Sequence, residues 1–437
     1  MSSIAIEHAT VWPAWDAEPI PDASVLVENG RFVRVGRFRA RADVIVDAEG
    51  ALAMPGLIQT HVHLCQTLFR GLGEGLPLLD WLRHVVWPCE AAHGEASVAA
   101  SARLACAEMI RGGVVAVATM ETVRWTEVSM GVLGDAGLGG LVGHCWMDRT
   151  GGYEPLAVEL DEFLTECDAL HRLAQEWPDL DVAVAPRFAL SCSPDGLIEV
   201  AKFAQARQLH IHTHASETTA EVQWVFQRTG RRNVEFLDEC GLLDPRTLLA
   251  HCVHLDPAER LRLAERGCHV VHCPTANLKL GSGLAPIVEL LQEGISVALG
   301  SDGAPCNNRL DLFEEMRLAG LIQGVRVRPG ALSAREVVRM ATEAGAAALG
   351  WAGRAGRIEP GYRADLVLLD VKDPSWVFEQ DPATAVVYSG HSGVVELTMA
   401  AGRILYENGQ FLTLDIERVV KEARTERERL LRRAGLT

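Results

Sequence analysis

The sequence predicts an α/β protein: a (β/α)8, TIM-like barrel with a small β-sandwich formed by the N- and C-terminal segments. Between Pro55 and about Pro360, short β-like segments alternate with helical stretches, which is typical of βαβ units around a parallel sheet. About eight such units in roughly 300 residues match a closed eight-stranded barrel. Hydrophobic residues make up 48% of the chain and its mean hydropathy is +0.09, which suits strands buried on both faces.

The first segment of the chain, residues 1–54, is predicted to form short strands. They are SIAIEHATVW, DASVLVENGRFVRVG and ADVIVDAEGALAMP, and Glu28-Asn29-Gly30-Arg31 between two apolar runs indicates a hairpin turn. Pro55 and Gly56 then mark a break before the next strand. We expect residues 55–361 to form the catalytic barrel, and residues 1–54 and 362–437 to pack together as one composite domain.

The barrel segment contains seven further strand candidates after the one that follows Pro55. They are VVAVATM, GLVGHCWM, DVAVAPRFAL, LHIHTHAS, TLLAHCVHL, HVVHCP and SVALGSDG. Helical stretches such as SVAASARLACAEMIRGG separate them. After Gly361 the strand pattern returns in ADLVLLDV and VVELTMAAGRILYENGQF, which has a turn at Asn408-Gly409. A charged helix, IERVVKEARTERERLLRRAG, follows, and we expect its charges to face solvent.

Charge and composition restrict the partners. The net charge of −17 argues against nucleic acid or an anionic membrane surface as a partner. The N-terminal residues lack a basic start followed by an apolar core, and no apolar stretch is long enough to span a bilayer. The 11 cysteines include no C-x-x-C pair, so we expect reduced, packed thiols, also at Cys65, Cys252, Cys273 and Cys306. We expect a cytoplasmic homo-oligomer, a dimer or a tetramer.

The stretch PGLIQTHVHLCQ, residues 55–66, is the first indication of chemistry. On a β-strand, residues i and i+2 point to the same face, so His61 and His63 project together. Two neighbouring imidazoles provide half of a transition-metal site. An isolated His-x-His is more often a pair of surface histidines, because short motifs match by chance. The interpretation therefore depends on the rest of the chain.

Three further strand ends carry polar candidates at the barrel edge where chemistry collects. His214 lies nearest the end of HIHTHA and is the third predicted ligand, whereas His210 and His212 lie deeper and are expected to support the site. Glu217 follows at the strand-to-loop junction, a position suited to a proton shuttle.

The last two candidates complete a predicted metal centre. His251 ends the strand TLLAH, and Asp302 follows the strand SVALGS. Three imidazoles and one carboxylate leave room for water on a divalent ion. The coincidence of all these residues at strand ends favours a metal site over scattered surface histidines.

These motifs resemble the amidohydrolase superfamily, in its branch of guanine- and adenosine-type deaminases and triazine chlorohydrolases acting on nitrogen heterocycles. The likeness also covers LPLLDWL, HCPTANLKLGSG and EPGYRADLVLLD, and the chain is similar to sequences called 5′-deoxyadenosine deaminase or N-ethylammeline chlorohydrolase. The resemblance implies one divalent ion, zinc with iron as the alternative, and His61, His63, His214 and Asp302 as its ligands. DVAVAPRFALS lacks the lysine of dinuclear members, which implies a mononuclear site.

The resemblance also implies a hydrolytic deamination. Metal-activated water attacks a ring carbon that bears an amino group or a halide, and Asp302 accepts its proton. Glu217 protonates the adjacent ring nitrogen, His251 stabilises the attacking oxygen, and ammonia leaves. The H-x-E and P-C-x-x-C signature of the unrelated cytidine-deaminase class is absent. Every ligand is present, which argues against a scaffold that has lost catalysis.

The substrate is predicted to be a small purine-like heterocycle. Gln66 and Arg187 match positions that guanine deaminases use to hold the base, and an arginine only donates hydrogen bonds, which favours a keto acceptor. We therefore favour a guanine-like base. GSDGAPCNN and NLKLGSG instead resemble the methylthioadenosine branch, and Asp80 beside Trp81 matches a position for ribose hydroxyls, although a surface role is equally consistent. An adenosine-type nucleoside (5′-deoxyadenosine, methylthioadenosine or S-adenosylhomocysteine), a pterin and a triazine remain alternatives.

Overall fold

The computed structural model describes residues 3–150, 153–377 and 381–436, which form an eight-stranded parallel sheet and a nine-stranded mixed sheet. The strands in chain order are β1 (Ser3–Val11), β2 (Ile20–Glu28), β3 (Arg31–Gly36), β4 (Val44–Asp47), β5 (Leu52–Pro55), β6 (Leu57–Val62), β7 (Val114–Thr119), β8 (Gly139–Trp146), β9 (Leu180–Pro186), β10 (His210–Ala215), β11 (Thr247–His251), β12 (His269–His272), β13 (Ser296–Leu299), β14 (Leu366–Leu369), β15 (Val395–Ala400), β16 (Arg403–Glu407) and β17 (Gln410–Phe411).

Strands β6 to β13 form the parallel sheet in sequence order, each paired with the next. Hydrogen bonds from the Thr60 hydroxyl to the Leu299 carbonyl (2.8 Å) and from the Asp302 amide to the His61 carbonyl (3.0 Å) connect the first strand to the last. The predicted TIM-like barrel is therefore confirmed. Its closure brings His61 beside Asp302, although 241 positions separate them (302 minus 61).

Helices surround the barrel and cover its strands. All residues of β6, β7 and β8 are buried, as expected for strands packed on both faces. The α-helices are α1 (Leu78–Trp81), α2 (Trp87–Ala91), α3 (Glu95–Arg111), α4 (Thr126–Ala136), α5 (Leu160–Leu173), α6 (Pro194–Arg207), α7 (Thr219–Thr229), α8 (Asn233–Glu239), α9 (Pro257–Arg266), α10 (Pro274–Lys279), α11 (Ile287–Gln292), α12 (Ala304–Asn307), α13 (Leu312–Arg326), α14 (Ala334–Ala341), α15 (Glu343–Ala348), α16 (Pro382–Thr384) and α17 (Ile416–Arg433).

The strands from the two ends of the chain combine in the mixed sheet. Its order is β17-β16-β15-β14-β5-β1-β2-β3, with β4 paired to β1. The predicted first hairpin is present: Glu28 pairs with Arg31, and Asn29 and Gly30 between them have φ of 53° and 74°. Antiparallel pairing of β5 with β14 joins the N-terminal strands to the C-terminal ones. The division into a barrel of residues 55–361 and a composite terminal domain remains a prediction.

The C-terminal helix α17 departs from the expected solvated charge pattern. The Arg427 guanidinium donates to the carbonyls of Leu68 and Arg70, and Arg433 donates to the carbonyl of Ala92. Leu430 is fully buried against the segment that follows β6. Part of the charged face therefore fastens this helix to the barrel, and the expectation was wrong for Arg427, whereas Arg433 is exposed. None of the helices in the described ranges is long and apolar enough to cross a lipid bilayer.

Candidate active site

The predicted site residues meet at the carboxyl ends of the barrel strands. His61 lies near the end of β6 and His63 directly follows it, His214 lies on β10, and Asp302 comes shortly after β13. One potential ligand atom from each of these four residues lies within 4.8 Å of all the others. The Asp302 Oδ1 atom is 3.1 Å from His63 Nε2 and 3.5 Å from His61 Nε2. The side chains therefore converge as the sequence predicted.

Backbone carbonyls fix the orientation of two of the imidazoles. His63 Nδ1 is 2.7 Å from the Met120 carbonyl, and His214 Nδ1 is 2.7 Å from the Arg187 carbonyl. Because a carbonyl only accepts, each Nδ1 carries the proton and each Nε2 keeps its lone pair. Both lone pairs are therefore available to a metal ion.

His212 orients the third imidazole through a relay. Its Nδ1 donates to the Thr119 carbonyl at 3.1 Å, which leaves its Nε2 as the acceptor in the neutral ring. His61 Nδ1 lies 2.8 Å from that atom and must supply the proton, so His61 Nε2 keeps its lone pair. His212 thus supports a ligand instead of binding the ion itself, as the sequence interpretation expected.

The electrostatics of the cluster also fit a divalent cation. Burial lowers the pKa of His61 to about 4 and holds the pKa of His214 well below its ordinary value, so both rings are neutral. Burial alone raises the pKa of Asp302, but the neighbouring rings of His61 and His63 hold that pKa well below its usual range. His61 Nε2 is buried and makes no hydrogen bond. Three neutral imidazoles and one carboxylate form a donor set suited to zinc or iron.

Glu217 and His251 lie beside the ligand cluster. His251 Nε2 is 3.7 Å from Glu217 Oε2 and 3.8 Å from Asp302 Oδ2, and its Nδ1 lies 2.9 Å from Asn277 Oδ1. Burial lowers the pKa of His251, but the carboxylates of Glu217 and Asp302 outweigh it and raise that pKa overall. Burial raises the pKa of Glu217, and Ser282 donates to its Oε1 at 3.0 Å. This environment suits a carboxyl group that carries and transfers a proton.

Glu221 is a functional candidate that the sequence interpretation missed. It lines the cavity, its Oε2 accepts from the Glu217 amide at 2.7 Å, and burial raises its pKa to about 7. It also accepts from the Asn233 side chain. The sequence offered a signal, since Glu221 lies about one helical turn after Glu217, but a glutamate in the first turn of a helix is common.

Some of the strained backbone of the chain lies at the same strand ends. Ser216, His251 and Asp302 have positive φ of 53°, 74° and 62°. Residues other than glycine rarely adopt such angles, and those that do cluster at functional sites. The strained turns aim these side chains or their neighbours into the barrel mouth.

A cavity opens in front of the ligand cluster. Of the predicted substrate contacts, Gln66, Arg187 and Trp81 line it, whereas Asp80 is exposed and lies outside the lining. The lining residues are His63, Gln66, Leu78, Trp81, Leu82, Arg187, Phe188, His214, Glu217, Glu221, His251, Leu280 and Asp302.

Glu90 is the second residue that the sequence interpretation missed. Its carboxylate accepts two hydrogen bonds from the Arg187 guanidinium, at 2.6 and 3.1 Å, and one from the Gln66 amide at 2.8 Å. All three side chains are buried. Glu90 belongs to no recognisable motif, and only the folded chain brings it to Arg187, 97 positions away.

Two other histidines and the cysteines take structural places. His210 lies at the start of β10, at the opposite end from the ligands, near Gly350. His254 Nε2 contacts the Ser282 carbonyl at 2.7 Å and so supports the loop that holds Glu217. The cysteines are buried and free, and burial holds the pKa of those beside the motifs well above the ordinary value, which agrees with packed thiols.

Comparison with known proteins places these features in context. Residues 52–405 match the model described as the Amidohydrolase family. The 5′-deoxyadenosine deaminase of Methanothermobacter thermautotrophicus is 40% identical over 93% of this chain and 95% of its own. The 5-methylthioadenosine/S-adenosylhomocysteine deaminase of Syntrophobacter fumaroxidans is 38% identical over 94% of both chains. A solved adenosine deaminase from Xanthomonas campestris with bound zinc superposes with a TM-score of 0.92 at 33% identity, covering 98% of each chain.

Proposed function

This chain belongs to the amidohydrolase family, and from that premise we propose that it is a zinc-dependent deaminase of an adenosine-type nucleoside, such as 5′-deoxyadenosine. The observation that carries the reaction class is the meeting of Glu217, His251 and Asp302 beside three oriented imidazoles. Support for the nucleoside comes from the 5′-deoxyadenosine deaminase and the 5-methylthioadenosine/S-adenosylhomocysteine deaminase that are 40% and 38% identical to this chain.

The reaction is the hydrolytic replacement of an amino group. His61, His63, His214 and Asp302 would hold the ion, which would lower the pKa of the attacking water. The water oxygen forms a bond to the amino-bearing ring carbon, and the C–N bond breaks with its electron pair on nitrogen. The nitrogen takes up a proton and leaves as ammonia.

The residues of this chain move the protons and hold the ring. The second oxygen of Asp302 faces His251, so Asp302 accepts the proton that the water loses. Glu217, whose pKa burial raises, protonates the ring nitrogen next to the reacting carbon and makes that carbon more electrophilic. His251 donates from Nε2 to the incoming oxygen, while Asn277 holds its other nitrogen.

The nucleoside replaces the guanine-like base that we favoured from the sequence. That preference rested on Arg187 as a donor to a keto oxygen. In the structure Glu90 compensates the Arg187 charge and takes two of its donors. The guanidinium is therefore a weaker reason for a keto substrate than the sequence suggested, and the relatives favour the alternative.

A single comparison of substrates tests the proposal. Ammonia release from the zinc-loaded protein is measured with 5′-deoxyadenosine, guanine and an aminotriazine, and kcat/KM is expected to be highest for the nucleoside. Glu217→Gln serves as the control that any activity belongs to this site. Faster turnover of guanine or the triazine would contradict the nucleoside, and elemental analysis that finds iron in place of zinc would correct the metal.

A further inference from the structure

The inner wall of the cavity contains a cluster of three buried polar side chains, which we call the Gln66–Glu90–Arg187 cluster. Glu90 is its centre and accepts hydrogen bonds from both of the others. Gln66 and Arg187 line the cavity, whereas Glu90 lies behind them. Glu90 therefore acts on a substrate only through its two neighbours.

Glu90 determines which way the Gln66 amide is turned. The carboxylate is ionised, because the Arg187 guanidinium cannot lose its proton and pairs with it in a two-bonded contact. An ionised carboxylate only accepts hydrogen bonds, so the NH₂ group of Gln66 must face Glu90. The carbonyl end of that amide must then point the other way.

The Gln66 Oε1 atom is a buried acceptor that has no hydrogen-bond partner. It lies against Gly303, the residue after the ligand Asp302. A Cβ atom added to Gly303 would be 2.2 Å from Gln66 Oε1 and 3.5 Å from a ring carbon of His63. The unpaired acceptor is thus on the metal side of the cavity. Buried acceptors are costly to leave unpaired, which indicates a bond to a bound molecule.

We propose that Glu90 is a positioning residue that holds Gln66 as an acceptor for the N–H of the substrate's departing amino group. This inference rests on the proposed function, because the amino group at the reacting carbon must come to the metal side of the cavity. An amino group satisfies Oε1, whereas a leaving group without hydrogen leaves it unpaired. The cluster therefore makes the enzyme selective for amines.

The test is the ratio of kcat/KM for two nucleosides that differ only at the reacting carbon, adenosine and 6-methoxypurine riboside. Gln66→Leu removes the acceptor, and Glu90→Gln lets the Gln66 amide turn, because a neutral amide both donates and accepts. Each variant is expected to lower the amine-to-methoxy ratio by about tenfold to a hundredfold, the range for a buried hydrogen bond. In the Gln66→Leu background, Glu90→Gln should change the ratio no further.

Two controls separate positioning from general damage. Glu90→Asp keeps an ionised, acceptor-only partner and should retain most of the ratio even if both rates fall. Glu315→Gln alters another fully buried carboxylate, which is held by Thr275 and Asn307 outside the cavity lining, and should leave the ratio unchanged. A Glu90→Gln variant that slows both nucleosides equally would overturn the inference, as would a normal ratio in Gln66→Leu.

The choice of ring tests the proposed function, whereas the choice of leaving group tests this inference. If the wild-type protein ignores both nucleosides but deaminates guanine or an aminotriazine, the proposed function fails. The inference is then tested on that ring, with the amino compound and its chloro analogue, and the same collapse of the ratio is expected. If Glu90→Gln does not fold, Gln66→Leu and Gln66→Met decide the matter, because neither disturbs the Glu90–Arg187 ion pair.

Discussion

The metal-ligand cluster and the substrate wall of the same cavity are held in place by different means. Backbone carbonyls at strand ends fix His63, His212 and His214, so the barrel itself determines their geometry. In the substrate wall, Gln66 and Arg187 are fixed by the side chain of Glu90. The first region thus follows from the fold, whereas the second follows from one set of side chains.

Arg187 belongs to both regions and connects them. Its backbone carbonyl accepts a hydrogen bond from His214 Nδ1, while its guanidinium pairs with Glu90 in the cavity wall. A substitution at this position therefore alters the wall and leaves the carbonyl in place. Variants in the two regions should accordingly differ in effect: the largest losses are expected at the metal-ligand cluster and the smallest at the rim of the cavity.

His214→Ala should abolish both metal binding and turnover. Removal of one of three imidazoles leaves a site whose affinity is too low to retain the ion, and the reaction needs that ion. Metal content is measured by elemental analysis of the purified variant, and ammonia release gives activity. His210→Ala is the matched control, because it lies on the same strand at the opposite end and should keep the metal. Zinc retained by the His214 variant would contradict the ligand set.

Glu217→Gln should keep the metal and lose turnover. The amide has the same shape but cannot transfer a proton, so kcat should fall by about a hundredfold to ten-thousandfold. Single-turnover kinetics on the zinc-loaded variant measures the loss. Near-normal turnover would assign the proton transfer to another group, with Glu221 the nearest candidate, and loss of zinc would instead identify Glu217 as a ligand.

The different ways in which the metal-ligand cluster and the substrate wall are held explain what could be predicted from the sequence. The strand positions and the convergence of His61, His63, His214 and Asp302 were predictable, because alternation on a strand and position at its end determine where a side chain points. Glu90 was not predictable, because its role depends on a contact between distant segments that carries no local pattern. Arg187 was identified from the sequence, but because Glu90 was missed, its guanidinium was predicted to contact the substrate.

Arg187→Leu should damage the wall without emptying the metal site. The change leaves the Glu90 carboxylate buried and unpaired, which should lower the free energy of unfolding by about 3–5 kcal/mol. The double variant Glu90→Leu/Arg187→Leu should lose less stability, because it leaves no buried charge unpaired. Denaturant unfolding of the zinc-loaded proteins measures both. A double variant that loses as much stability as Arg187→Leu would contradict the unpaired charge as the cause. Loss of zinc in Arg187→Leu would contradict the independence of the two regions.

The smallest effect is expected at Asp80. The short helix α1 turns Leu78 and Trp81 towards the cavity, and Trp81 is only 5% exposed, whereas Asp80 points to solvent. Trp81→Leu should raise KM for 5′-deoxyadenosine by about tenfold, because apolar contact with the bound molecule is lost.

Asp80→Asn should change kcat/KM by no more than about twofold, as for most exposed positions. A severalfold rise in KM for Asp80→Asn, with kcat unchanged, would return Asp80 to the ribose contact considered from the sequence.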